Sequence, residues 1–199
     1  MRADAVQRRQ AIIDAACEVF RTVPSKDITL TLIAKRAGVG IATLYRNFPT
    51  RTHLNIACGL DLLSQLDHAI DRLNVQFDTD PETTFDHFVW ALVHNGIGTL
   101  VAVLVPEDPE AVPDEVIQRR TELLTKVDAF LTRAARVGLV PPHLTADQLA
   151  AELFVVTRPQ NPTLSLMDPD VRDRLVGRLL FGLRVKMCVW LGVSRGLDL

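Results

Sequence analysis

The fold is decided by TLTLIAKRAGVGIATLYRNFPTRTHL, residues 29–54. Apolar residues at helical spacing predict a first helix after Thr29, whose hydroxyl is expected to cap it. Gly38 stands where the chain leaves this helix, and glycine adopts the positive φ of such a turn without steric cost. Gly40 then opens a second helix. Two short helices with so tight a connection predict a helix-turn-helix, whose second helix enters the major groove of DNA.

The second helix has one inward face and one outward face. Leu44 and Phe48 are expected to point inward, because they are four residues apart and both are large and apolar. This leaves an outward face of Ile41, Ala42, Thr43, Tyr45 and Arg46. An ordinary helical hairpin is the alternative, but the outward Thr-x-Tyr-Arg and the basic flanks favour DNA.

The charge is divided unevenly along the chain. The 199 residues carry a net charge of −2, yet the segment up to Arg51 has nine Lys and Arg against four Asp and Glu. A basic N-terminal part on an acidic remainder indicates that only the N-terminal part meets phosphate.

The remaining sequence predicts helices without any strand, so the fold class is all-α. We expect residues 1–50 to form the DNA-binding domain and residues 51–199 a second helical domain, with a long helix from Arg51 to about Val75 joining them without a flexible linker. The other predicted helices are Asp4–Phe20, Phe85–Leu104, Pro113–Val137, Thr145–Thr157 and Asp168–Leu191. Prolines and acids predict loops at Val105–Glu115 and Arg158–Met167.

The last predicted helix carries two apolar stripes, and one would suffice to pack on the chain's own core. The second stripe predicts a partner chain, with Gly182 allowing close approach. The stripes are Val171, Leu175, Leu179, Gly182, Val185, Val189 and, separately, Leu180, Leu183, Met187, Trp190. We therefore expect a homodimer held by the last two helices.

Residues 88–105, FVWALVHNGIGTLVAVLV, are uncharged and long enough for a marginal transmembrane candidate. The polar and glycine residues in its middle and its acidic flanks favour a helix buried in a protein interior instead. No membrane association is expected.

No catalytic constellation, cofactor motif or metal cluster is evident, so an enzyme is not indicated. Cys17, Cys58 and Cys188 form no CxxC pair and are typical of buried apolar residues in a reducing cytosol. The N-terminus has no apolar segment typical of a secretion signal, and we expect a cytoplasmic protein. His87 and His94 leave a metal-sensing regulator open as an alternative.

The motifs I-A-x-x-A-G-V (Ile33–Val39), T-L-Y-x-x-F (Thr43–Phe48) and the following P-T-R resemble the TetR family of transcriptional regulators. The resemblance covers about Gln10 to Leu54. It implies a homodimer whose C-terminal domain binds a small molecule, and a repressor that then releases its DNA. The sequence departs from the family pattern at Leu32, Gly40 and Arg51, which replace a common acid, a common Ser or Thr, and a common Lys.

The resemblance also implies roles for single residues. Tyr45 resembles a phosphate-contacting tyrosine, Thr43 and Arg46 contact bases or phosphates, and Ile41 and Ala42 offer apolar contacts. Thr29 and Arg51 resemble phosphate anchors beside helix N-termini. The full set of candidate DNA contacts is Thr29, Gly40, Ile41, Ala42, Thr43, Tyr45, Arg46 and Arg51.

A dimer with two recognition helices predicts a near-palindromic operator in double-stranded DNA. For the inducer, Trp90 and His94 lie one helical turn apart on an apolar helix, and Arg119 lies on the next helix. They predict a site for a mostly apolar molecule. The candidate ligand contacts are Leu66, Ile70, Trp90, His94, Asn95 and Arg119. A helix-turn-helix module that binds only proteins remains a further alternative.

Overall fold

The computed structural model of the chain describes residues 2–98, 112–158 and 166–184. Within these ranges the regular structure is helical, with no strand, so the all-α prediction is confirmed. Eight α-helices of seven residues or more are described: α1 (Arg2–Thr22), α2 (Leu30–Arg36), α3 (Ile41–Asn47), α4 (Arg51–Gln76), α5 (Pro81–His94), α6 (Asp114–Arg136), α7 (Ala146–Thr157) and α8 (Val171–Arg184). A single 3-10 turn, Ser25–Asp27, lies between α1 and α2.

Helices α1 to α3 form a small bundle that matches the predicted helix-turn-helix. Thr29 caps α2, its hydroxyl accepting from the Leu32 N–H at 3.1 Å. Gly38 has φ +68°, as the turn requires. Leu44 and Phe48 point inward and are buried, as predicted. Around them lie the buried residues of the first two helices: Ile12, Ala16, Val19, Phe20, Ile33 and Ala34.

Helix α4 joins this bundle to the rest of the chain. Thr50 caps it by accepting from the His53 N–H at 3.3 Å, and its 26 residues span about 39 Å at 1.5 Å per residue. Buried residues recur at helical spacing along its length: Leu54, Ala57, Cys58, Leu62, Leu66 and Ile70. The buried residues on both sides of α4 belong to one continuous cluster, so no flexible linker separates the two ends.

The core beyond α4 is organised around Phe130 of α6. The Phe130 ring is fully buried and lies 5.0 Å from Phe77, 6.4 Å from Phe85 and 4.8 Å from Phe88, measured between ring centroids. Such aromatic pairs add stability beyond the area that they bury. They fix α5 and α6 against the C-terminal end of α4.

Charged pairs on the surface join the same helices. Lys126 of α6 contacts both Asp67 and Asp71 of α4, at 2.7 Å and 3.1 Å. Arg184 of α8 contacts Asp86 of α5, and its second nitrogen lies 3.3 Å from Glu82. These pairs set the alignment of neighbouring helices and contribute less to stability than the core does.

The apolar stretch of residues 88–105 is broken where a continuous helix was expected. Helix α5 begins at Pro81, capped by Asp80, and ends at His94. Asn95 is the C-cap and Gly96 has φ +82°, a conformation that stops the helix. The prediction of one helix from Phe85 to Leu104 is therefore wrong, although residues 99–104 lie outside the described ranges.

The later elements largely follow the prediction. Gly138, with φ +78°, ends α6, and Thr145 caps α7 in a capping box with Gln148. The predicted loop at Arg158–Met167 is wrong at its end, because Leu166 and Met167 are helical. Most of that loop, most of the loop at Val105–Glu115 and the part of the last predicted helix beyond Arg184 lie outside the described residues.

Of the helices in these ranges, none has both the length and the hydropathy that a bilayer-spanning segment needs.

Gly38→Ala and Gly40→Ala form a matched test of the turn. At both positions an added Cβ would meet no atom within 4 Å, and only Gly38 has a positive φ. We expect Gly38→Ala to lower the free energy of unfolding by about 1–2 kcal/mol, the cost of a left-handed residue with a Cβ. Gly40→Ala should stay within about 0.5 kcal/mol of the parent. Urea unfolding measures both, and equal losses would show that backbone conformation is not the cause.

Candidate nucleic-acid interface

Helix α3 presents a polar and apolar mixture to solvent while its other face is buried. The Leu44 side chain is fully buried, whereas Ile41 is 39% and Tyr45 49% exposed. Gly40, Ala42 and Arg46 are also exposed, and Thr43 is half-buried. The structure therefore places the predicted contact residues of α3 together on one accessible surface.

Thr43 and Arg46 are held as a unit. Arg46 Nη2 donates to the Thr43 hydroxyl at 3.1 Å, and the Asn47 amide donates to the Thr43 carbonyl at 2.8 Å. A guanidinium positioned in this way loses less side-chain entropy when it binds a base edge or a phosphate. The Asn47 contact was not predicted from the sequence, because Asn47 belongs neither to the inward nor to the outward face predicted for α3.

Thr29 and Arg51 are brought near each other at Ile28, which precedes Thr29 in the sequence and accepts a hydrogen bond from Arg51. The Thr29 hydroxyl caps α2, and Arg51 Nη1 donates to the Ile28 carbonyl at 3.3 Å. Arg51 is the first residue of α4, so the start of α4 is fixed next to the start of α2. Two helix N-termini with an exposed hydroxyl and a guanidinium form a suitable place for a phosphate oxygen.

Two of the basic residues near α3 have defined partners: one is neutralised by an ion pair, and the other packs on an aromatic ring. Glu18 of α1 forms an ion pair with Arg36 of α2 at 2.5 Å. The Arg9 guanidinium lies 4.9 Å from the centroid of the Phe48 ring, just after α3. This cation–π contact brings the basic start of α1 beside the end of α3. The contact is between residues far apart in the sequence, and no local pattern indicates it.

A small apolar cavity lies between α4, α5 and α6. Its volume is about 20 Å³, close to the space of one water molecule. The side chains around it are Leu66, Ala69, Phe88, Ala91, Leu92, Leu123 and Val127. Of the predicted ligand contacts, Leu66 alone lines this cavity.

The other predicted ligand contacts lie elsewhere. Trp90 and His94 do share a face, with their rings stacked at 5.6 Å, but His94 is exposed. The Asn95 amide donates to the Ala91 carbonyl at 2.7 Å, and Ile70 is fully buried in the core. Arg119 lies on the exposed side of α6, 3.8 Å from Glu122.

Among the residues with described positions, no three His, Cys, Asp or Glu side chains are grouped closely enough to hold a metal ion. The described histidines thus give no support to the metal-sensing alternative.

Residues 12–58 match the family described as bacterial regulatory proteins, tetR family. A helix-turn-helix transcriptional regulator of Staphylococcus aureus is 39% identical over 54 residues, which are 27% of this chain and 29% of that protein. The helix-turn-helix transcriptional repressor KstR of Mycolicibacterium smegmatis is 31% identical over 72 residues, 36% of this chain and 32% of its own length. The matched segments thus span about a third of the length of these curated relatives.

The structural likeness extends over nearly the whole chain. A TetR transcriptional regulator from Streptomyces coelicolor has a TM-score of 0.59 and 26% identity, covering 88% of this chain and 98% of that one. The likeness therefore extends beyond residues 12–58, the segment that the family model matches.

Proposed function

The chain belongs to the TetR family of bacterial regulatory proteins, and on that premise we propose that it is a DNA-binding transcriptional repressor. The observation that carries the proposal is the exposed face of α3, where Ile41, Tyr45 and Arg46 stand clear of the core. The name of the relative KstR, a transcriptional repressor, supports the direction of regulation. Residues 1–50 would bind the DNA and residues 51–199 would carry dimerisation and ligand binding.

The proposed contacts divide into phosphate and base contacts. Tyr45, Thr29 and Arg51 would contact phosphate oxygens, which set affinity and register without reading sequence. Thr43 and Arg46, which are hydrogen-bonded to each other, would read base edges. Ile41 and Ala42 would offer apolar contact to a thymine methyl group.

Tyr45→Phe tests the phosphate contact. Duplexes are first selected from a random library with the parent protein, and affinities are then measured by fluorescence anisotropy. We expect about a tenfold loss of affinity, the value of one hydrogen bond to a charged group, for all duplexes alike. Thr43→Ala should instead change the ranking of the duplexes. Val137→Ala, an exposed change remote from α3, serves as the control. Full affinity of Tyr45→Phe at physiological salt would contradict the phosphate role.

The dimer proposal rests on exposed apolar side chains on α7, on α8 and in the segment between them. Val155, Leu166, Met167 and Phe181 are each more than half exposed. On α8, Leu180 is buried in the chain's own core, whereas Val171, Leu175, Leu179 and Leu183 are half-buried and Gly182 is exposed. Large apolar side chains that are exposed in the single chain are typical of a protein interface when they lie close together.

Gly182→Arg tests the dimer, with Ala129→Arg as its control. Gly182 lies on α8, is exposed, and an added Cβ there would meet no atom within 4 Å, so the change is compatible with the fold of the single chain. Ala129 is exposed on α6, outside the proposed dimer surface. We expect monomers for Gly182→Arg and dimers for Ala129→Arg by light scattering. A dimer in both variants would place the interface elsewhere.

We further propose that a small, mostly apolar molecule binds between α4, α5 and α6. The apolar lining of the cavity, including Leu66 of α4, supports the chemistry of the ligand. Because the cavity holds about one water molecule, a ligand has to separate α4 from α5 and α6. Movement of α4 would displace α3 in both protomers. Ligand and DNA must then oppose each other reciprocally, since each shifts the same equilibrium.

Ala91→Leu tests the ligand site by filling the cavity. Neutral, mostly apolar compounds with one or two hydrogen-bonding groups are screened by Trp fluorescence, with Trp90→Phe to isolate the signal of Trp190. A compound that binds the parent should lower its affinity for the selected duplexes, and should bind Ala91→Leu at least tenfold more weakly. Ala129→Leu, on the exposed side of α6, is the control. A compound that saturates the protein without changing its affinity for DNA would contradict the proposed induction mechanism.

A further inference from the structure

Arginine side chains in this protein differ in what holds them. From α6 onward, six arginines each contact a carboxylate: Arg119, Arg120, Arg133, Arg172, Arg174 and Arg184. In the N-terminal bundle, Arg36 is paired with Glu18 in the same way. Three further arginines near α3 have uncharged partners instead: a hydroxyl for Arg46, a backbone carbonyl for Arg51 and an aromatic ring for Arg9. These partners position the three guanidiniums without neutralising their charge, which is what a surface for anions requires.

Arg9 is the one of these three arginines that lies outside the helix-turn-helix. It belongs to the first half of α1 and is exposed, and its guanidinium carbon lies 4.9 Å from the centroid of the Phe48 ring. A contact with the face of a ring uses no N–H group, so the five donors of the guanidinium stay available for oxygen atoms. Among the described residues, no carboxylate or other hydrogen-bond acceptor takes up these donors.

The Phe48 ring places Arg9 at the C-terminal end of α3. The Phe48 N–H donates to the Leu44 carbonyl at 2.8 Å and closes the last turn of that helix. Tyr45, a proposed phosphate contact, precedes Phe48 by three residues, which is a rise of about 4.5 Å along the helix axis. Successive phosphates of one DNA strand are about 3.4 Å apart along the duplex axis. The two positions are thus close enough for one strand to meet both.

We propose that Arg9 binds a backbone phosphate of the DNA beside the C-terminal end of α3, and that Phe48 is the residue that positions it. The inference rests on the proposed function and adds a contact from α1 to those of the helix-turn-helix and of α4. A phosphate contact contributes affinity without reading sequence. It also releases counterions from the DNA, so its loss makes the affinity less dependent on salt. If Arg9 instead only covered the Phe48 ring, its removal would leave the salt dependence unchanged.

The experiment measures the affinity of the full chain for duplexes selected with the parent protein, by fluorescence anisotropy, between about 50 and 200 mM salt. For Arg9→Gln we expect about tenfold weaker binding of all duplexes alike. The slope of log affinity against log salt concentration should also be smaller in magnitude by about one. Arg9→Lys keeps the charge and should keep the slope, although part of the affinity is lost with the planar guanidinium.

Arg136→Gln is the matched control, because it removes the same charge from an exposed position far from α3. Arg136 is the last residue of α6, and Arg133, one turn earlier, contacts Asn74 and Asp78 at the end of α4 that is remote from α3. This variant should bind with the slope of the parent. An equal decrease of the slope in Arg136→Gln would show that the net charge of the chain, rather than a contact of Arg9, determines the salt dependence, and would overturn the proposal.

Phe48→Leu tests the positioning role in two backgrounds. In the parent it should weaken DNA binding, because Arg9 loses its support. In Arg9→Gln the same change should cause little further loss, since the two residues act through one contact. An equal loss in both backgrounds would contradict the positioning role. Phe48→Met replaces Phe48→Leu if circular dichroism shows the leucine variant to be unfolded.

Two kinds of failure are distinguishable in these measurements. If the parent binds DNA and Arg9→Gln keeps its slope, the phosphate contact is overturned even where the affinity or the stability of the variant is lower, and the proposed function stands. If the parent binds no duplex at any salt concentration, the proposed function is contradicted, and the contact of Arg9 with it.

Discussion

The inner face of α4 is buried from end to end, and the positions of the other helices depend on this burial. Cys58 packs toward α1, and Leu66 packs toward α5 and α6. Each fully buried Leu or Ile contributes about 1.5–3 kcal/mol relative to an exposed one. Exposing even part of this face costs a large fraction of the stability of such a chain. Helix α4 therefore moves with its neighbours, or the neighbours exchange one packed arrangement for another.

Contacts of two kinds act on α4 at its two ends. At its start, Thr50 and Arg51 connect it to the helices that carry the candidate DNA contacts. Toward its end, the aromatic rings around Phe130 and the ion pairs of Lys126 connect it to α5 and α6. The exposed ion pairs add little stability, but they favour one alignment of the helices over others.

The features that the sequence predicted well are local ones. Glycine at a positive φ, a threonine cap and a period of 3.6 residues all lie within one or two turns of each other, so Gly38, Thr29 and Thr50 could be assigned without tertiary information. The helix break at Gly96 was missed because apolar residues continue on both sides of it, although Asn95 and Gly96 are residues typical of a helix end. The contacts of Arg9 with Phe48 and of Gln10 with Asp61 join distant residues. No spacing rule connects such pairs, and only the packing of α1 on its neighbours brings them together.

The small size of the apolar cavity has a consequence for the potency of ligands, given the proposed induction mechanism. A molecule small enough for a space of about 20 Å³ would bind both positions of α4 alike and would shift nothing. A larger molecule discriminates between the two positions, but part of its intrinsic affinity is lost in opening the packed helices. Within a series of ligands, the binding affinity then falls as the ability to shift the position of α4 rises. The strongest inducers would bind more weakly than their contact area suggests, and variants that loosen the packing around the cavity would raise sensitivity while weakening repression.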